Sequence, residues 1–285
     1  MRTWNRRDIL ASWGVLGGAA LLTGCRGQTS EGASVSAGET TESAAPVTKL
    51  ASPPAPAAAP PPLAGLPQNW TYQPLDPATV GQIAYDLYPQ GSCMYAVFGS
   101  VMSLLAENVG EPFRSFPLEM MRYGATGLGG WGATCGVVNG AAALLGLFHP
   151  EQGDKRRDEL IAELCVWYES SSLPHFQPAS AADAKPVERV EAGSILCHVS
   201  MNQWCQAAGC DSFSAERRER CRRLSADGAM RVVQLLNADA SGSPEFLDLT
   251  EATHDCISCH GKSDRRDASV KMSCHHCHQF DRTHP

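Results

Sequence analysis

Between residues 93 and 237 apolar side chains return at three- and four-residue intervals, the spacing of one helical face. The stretch 93–107 carries Cys93, Ala96, Val97, Val101, Leu104 and Leu105, and 132–147 carries Val137, Val138, Ala141, Leu144 and Leu145 among Gly and Ala. The stretch 157–168 sets Leu160, Ile161, Leu164 and Cys165 on one side. The strongest pattern is 214–237. Ser214 is placed to cap it with Glu216 in the first turn, and Cys221, Leu224, Ala229, Val232, Val233 and Leu236 form a stripe behind them. Opposite that stripe, the arginines between 217 and 223 read as a solvated helix face. Residues 197–205 fit a short helix bracketed by two cysteines. No long alternating run occurs, so the expected fold class is mainly α, a compact helical domain with few strands.

The flanks of this body have other compositions. Asn5-Arg6-Arg7-Asp8 followed by apolar residues 9–22 reads as a twin-arginine export signal, too short and Gly-rich for a spanning helix. It ends in Leu22-Thr23-Gly24-Cys25, which resembles a lipoprotein cleavage box and would leave Cys25 as a lipid-bearing N-terminus. Residues 26–68 are rich in Ser, Ala and Pro, with 51–62 nearly all Ala and Pro. Such a segment cannot bury enough apolar surface to fold and reads as a disordered tether. The expected organisation is therefore a signal (1–25), a linker (26–68), a helical Cys/Gly-rich redox domain (69–240) and a loop-rich haem-binding segment (241–285). A net charge of −7 argues against nucleic acid as a partner.

The last segment holds the most specific chemistry. Cys256-Ile257-Ser258-Cys259-His260 and Cys274-His275-His276-Cys277-His278 are both C-x-x-C-H, the attachment signature of c-type haem. Two thiols at this spacing can each take one porphyrin vinyl group as a thioether, and the next His falls beneath the iron. Cys256 and Cys259 with proximal His260, and Cys274 and Cys277 with proximal His278, thus imply two haems c. A four-cysteine zinc knuckle would leave both histidines unexplained. Export and haem attachment agree on a location outside the cytoplasm, on the periplasmic side.

With Cys25 and the haem thiols set aside, Cys93, Cys135, Cys165, Cys197, Cys205, Cys210 and Cys221 remain. Their odd number leaves at least one thiol unpaired whether disulfides or a four-thiolate cluster form. Cys135 follows a Gly-rich turn (129–136) into a helix, where backbone N–H groups favour a thiolate. On spacing alone, buried thiols with one or two disulfides compete with soft ligands meeting at an iron cluster.

The segments GGWGATCGVVNG (129–140), CHVSMNQWC (197–205) and 217–237, joined to the two haem motifs, resemble the split-Soret cytochromes c. More broadly the body is similar to a redox-active family named for its Cys/Gly-Cys-Ala pattern; the turn here reads Thr134-Cys135-Gly136. The resemblance covers about 89–284. It implies a helical homodimer with two closely spaced, bis-His haems per subunit and one iron–sulfur-type centre in the body. It favours Cys135, Cys197, Cys205 and Cys221 as cluster ligands, with Cys93 next, and leaves Cys165 and Cys210 as core or disulfide residues.

Distal haem ligands must come from the other histidines. His254, two residues before the first motif, and His284, near the chain end, are the first candidates, and His198 beside Cys197 is the third. Met272 is an alternative thioether ligand. Three functions compete: an electron carrier working between redox partner proteins, a small haem reductase or peroxidase with one open iron, and a thiol redox module. No hydrolase triad, P-loop or dinucleotide signature is present. The spare histidines near the haem motifs favour an electron-transfer protein over an enzyme.

Overall fold

The computed structural model describes residues 70–151, 154–180 and 185–243, together with 254, 258, 260, 271 and 272. The signal, the tether with Cys25, and most of the haem segment lie outside the described residues, including Cys256, Cys259, Cys274, Cys277, His278 and His284. The fold is mainly helical, as the apolar periodicity implies.

Helix α1 (Pro77–Asn108) starts at Asp76, whose carboxylate accepts from Thr79 N (2.8 Å), with Pro77 at the first position, where no N–H is needed. It is broken in the middle. Pro89 removes a helix donor, and Ser92 takes φ 70°, ψ −167°, a region almost reserved for glycine. The Arg122 guanidinium donates to the Gln90 carbonyl that the break exposes. The break explains why the sequence pattern signals this helix only from Cys93 onward: Pro89 and Gly91 look like a terminus, yet residues 77–91 are also helical.

Two short 3₁₀ turns (Phe113–Ser115 and Leu118–Gly124) lead to α2 (Gly136–Phe148), followed by α3 (Lys155–Ser170), capped by Asp154. The strands β1 (Ser172–Leu173) and β2 (Val190–Glu191) pair antiparallel, Leu173 opposite Val190. Helices α4 (Cys197–Ala208) and α5 (Ala215–Ala240) complete the body, α5 capped by Ser214 accepting from Arg217 N (3.1 Å).

The long helices α1 and α5 lie against each other at the centre, α2 packs on both, and α3 covers α2. Val97, Val101, Leu105, Val137, Ala141, Leu144, Leu145, Leu160, Leu164, Leu224, Val232 and Val233 fill the space between them, all nearly inaccessible. Each large aliphatic chain buried this way contributes about 1.5–3 kcal/mol. Polar links close the core. Asn237 of α5 accepts from Tyr72 Oη (2.8 Å) and Leu75 N (3.2 Å) and donates to Leu75 O (2.8 Å), fixing the strap before α1. Asp227 accepts from His175 N (2.7 Å) and Phe176 N (2.9 Å), and burial pushes its carboxyl up to about 6. His149 sits between Asp154 (3.4 Å) and Asp239 (3.3 Å).

One expectation is corrected. The arginines of α5 are not a uniformly solvated face: Arg218 is exposed, but Arg220 and Arg223 are 2% and 1% exposed. A buried guanidinium needs partners. Arg223 Nε pairs with Glu219 (2.7 Å), and Arg222 lies over the Tyr85 ring at 3.6 Å. Arg220 turns toward sulfur.

Candidate redox site

Four cysteines from four helices meet at one end of the α1–α5 pair. Cys93 begins the second half of α1, just past the break at Ser92; Cys135 is the N-cap of α2; Cys197 is the first residue of α4; Cys221 lies in the second turn of α5. Three of the four therefore stand at helix starts, where unpaired N–H groups and the helix dipole favour negative charge.

The local chain explains the convergence. Cys135 N donates to Ile195 O (2.8 Å) and Cys197 N to Ala133 O (2.7 Å), around a bridge between Thr134 and Leu196, so the starts of α2 and α4 are stitched side by side. The turn before Cys135 runs through positive φ at Thr126, Gly127, Leu128, Gly129, Gly130 and Gly132, which folds it back under Cys197 and His198. Gly136 lets α2 approach α1. A Cβ there would lie 2.9 Å from Cys93 Cβ and 2.8 Å from Gly124 O, so only glycine brings Cys135 beside Cys93.

The thiols form two hydrogen-bonded pairs, Cys93 with Cys221 and Cys135 with Cys197, each pair within electrostatic range of the other. The hydrogen bond from Cys93, helped by the Arg220 and Arg217 guanidiniums and opposed by burial, brings Cys221 down to about 5. The bond from Cys197 brings Cys135 down to about 7, and Cys93 and Cys197 are pushed up in return. Arg220 Nη1 lies 3.8 Å from Cys221 Sγ, and Nη2 donates to Ser200 Oγ (2.7 Å). The Tyr168 hydroxyl donates to Ser200 Oγ (2.9 Å) and reaches Cys135. Arg220 Nε is buried and has no hydrogen-bond partner among the described residues. Two guanidiniums thus face two favoured thiolates in an apolar surround.

Among the described residues no three His, Cys, Asp or Glu side chains converge on one ion-sized point. The thiols stand as two hydrogen-bonded pairs, each within electrostatic range of the other. Four soft donors, cationic neighbours and helix N–H groups fit an iron centre, not a hard cation such as magnesium.

The group differs from the one the sequence favours. Cys205 does not belong to it. It lies eight residues beyond Cys197 on the same helix, about 12 Å along the axis, beside Cys210. Cys93 takes that place. The signal for it was the Pro89-Gly91-Ser92 stretch, which ends just before a cysteine as the Gly-rich turn does before Cys135. Arg217, Arg220, Tyr168 and Ser200 carry no motif and are found only in the structure. Cys165, half-buried, stays outside the group.

The histidines are placed as follows. His198 is exposed, with Nδ1 3.0 Å from Gly132 O; His254 is exposed and His260 half-buried. Met272 Sδ lies 4.0 Å from Ser194 Oγ, and Ser194 is three residues before Cys197.

Residues 95–235 match a family described as "Putative redox-active protein (C_GCAxxG_C_C)". The match holds Cys135, Cys197 and Cys221 and begins two residues after Cys93. The chain is 33% identical over 218 residues to split-Soret cytochrome c of Desulfovibrio desulfuricans, covering 73% of this chain and 77% of the relative. A solved structure of split-Soret cytochrome c from that organism, reported to contain a novel iron centre, superposes with a TM-score of 0.69. It is 32% identical over 75% of this chain and 91% of that one. With the helical body, the Cys-rich site and this identity in agreement, the chain belongs to the split-Soret cytochrome c family, a redox family with haem and an iron centre.

Proposed function

We propose that this protein is an exported dihaem c-type cytochrome that passes electrons between redox partner proteins, with an additional iron–sulfur centre in its body. The observation that carries the reading is the four-thiol group in a chain that also has two C-x-x-C-H motifs. Cys256 with Cys259, and Cys274 with Cys277, hold the porphyrins through thioethers; His260 and His278 are the proximal ligands; His254, His284 and His198 are the distal candidates. Cys93, Cys135, Cys197 and Cys221 would hold the iron–sulfur centre. When bound, these groups supply one-electron oxidation and reduction.

The chain's own residues set the conditions. Arg217 and Arg220 offset the negative charge of the thiolates, which favours the reduced state of whatever they hold. Tyr168 and Ser200 keep Arg220 aimed at Cys221. Met272 beside Ser194 is consistent with a haem lying near the thiol group. Export by the twin-arginine route suits a body that folds around its iron before crossing, with haem added outside. Cys25 anchors the protein by lipid on the periplasmic side, and the working form is a homodimer.

The test is stoichiometry on the exported, intact chain. Pyridine haemochrome should give two covalent haems per chain, and total iron should exceed haem, with acid-labile sulfide accounting for the excess. Iron equal to haem, or a single haem, would contradict the proposal.

A further inference from the structure

Helix α4 starts at one thiol of the redox site and ends by bringing two others together. Gly209 takes the left-handed conformation (φ 63°, ψ 34°), Cys210 N donates back to Cys205 O (3.0 Å), and Gly209 N donates to Gln206 O (3.4 Å). This helix stop folds the residue after the glycine onto the residue five positions earlier, usually as an apolar contact. Here both residues are cysteine, and their side chains are hydrogen-bonded.

The pair has an accessible side and a protected side. Cys205 is 6% exposed, while Cys210 is half-buried. Both line a surface pocket of about 370 Å³ with Asn202, Gln206, Asp211 and Ser212. Arg217 donates from Nε to Ser212 O (2.6 Å) and lies between this pair and Cys221, acting on Cys205 and Cys221 alike. One cation thus lies near both the four-thiol group and the separate pair.

We propose that Cys205 and Cys210 are a second redox site, a dithiol–disulfide couple that exchanges two electrons with a low-molecular-weight disulfide entering this pocket. The Cys210 thiolate attacks one sulfur of the incoming disulfide, forming a mixed disulfide and releasing one thiolate. The Cys205 thiolate then attacks Cys210 Sγ, closing the Cys205–Cys210 bond and releasing the second thiolate. The protein gives up two electrons and two protons, and the disulfide becomes two thiols. Cys210 acts first because it faces the pocket; Cys205, buried behind it, resolves.

The experiment uses the exported holoprotein in glutathione buffers spanning fully reduced to fully oxidised, acid-quenched, alkylated and read by peptide mass spectrometry. In the wild type, the peptide carrying both residues should pass from two alkyl groups to an internal bond, about 2 Da lighter than the dithiol, in a single two-electron step that excess dithiothreitol reverses. C205S should instead accumulate glutathione on Cys210, and C210S should accumulate none at Cys205. Independent alkylation of both cysteines across all buffers, or a bond that dithiothreitol does not open in the folded protein, overturns the proposal. Neither readout depends on haem or iron content, so the fate of this site is separable from that of the iron centre.

Discussion

Cys93→Ser should strip the protein of its non-haem iron, whereas Cys205→Ser should leave that iron in place. The contrast follows from position. Cys93 lies at the start of the second half of α1, hydrogen-bonded to Cys221 and within electrostatic range of Cys135 and Cys197. Serine keeps the volume but replaces a soft thiolate by a hard hydroxyl of much higher pKa, so the affinity for iron should fall by about a hundredfold or more, beyond the loss seen when only an outer partner of a ligand is removed. Cys205 is about 12 Å along α4 from Cys197 and turned to Cys210. Total iron minus haem iron, measured on both variants beside wild type, checks the assignment. Iron retained by C93S and lost by C205S would restore the grouping favoured by sequence alone.

Gly136→Ala should destabilise the fold and scatter the thiols, while Gly146→Ala on the same helix should do the opposite. At residue 136 the new methyl carbon would meet Gly124 O at 2.8 Å, Met94 N at 2.9 Å and Cys93 Cβ at 2.9 Å. Two of these are backbone atoms, which cannot swing aside, so α2 must back away from α1. Forcing an added methyl into a packed interior costs about 1–3 kcal/mol, which in a body of this size lowers Tm by roughly 2–12 °C. The same shift parts Cys135 from Cys93. At residue 146 a Cβ meets nothing within 4 Å, and replacing a helix-interior glycine there should gain up to about 1 kcal/mol from the smaller entropy of the unfolded chain. Thermal unfolding of both variants tests the pair. Equal effects at the two positions would mean that the close approach of α2 to α1 is not as described.

The helices that bear on the site were legible because each buries one stripe. The run through Val97 and Val101, the run from Val137 to Leu145, and the stripe of α5 each announce a helix by period, and Ser214 marks the start of the last. The first half of α1 was hidden because Pro89 and Gly91 read as punctuation; the structure keeps both inside a broken helix. The α5 arginines misled for a different reason. Charge patterning cannot distinguish a face turned to water from one turned to thiolates and carboxylates, and Arg220 and Arg223 face the latter.

Within the site, the sequence pointed to cysteines but could not choose among them. Cys197 and Cys205 form a tidy bracketed segment, which suggests a shared role. The rise of a helix forbids it, since residues eight apart, about 12 Å along the axis, cannot meet one centre. Cys93 was harder to rank because the turn that aims it includes Ser92 at positive φ, a conformation that no residue pattern encodes. The haem motifs are the reverse case: the reading rests on spacing alone, and their residues fall almost wholly outside the described part of the chain.

The visible absorption spectrum of the haem-loaded protein, oxidised and then reduced, with and without carbon monoxide, bears most directly on the claim that it carries electrons. Two irons each closed by two axial ligands should give sharp low-spin bands that carbon monoxide leaves unchanged. A high-spin component that shifts on adding carbon monoxide would reveal an open iron and make the protein a haem enzyme instead.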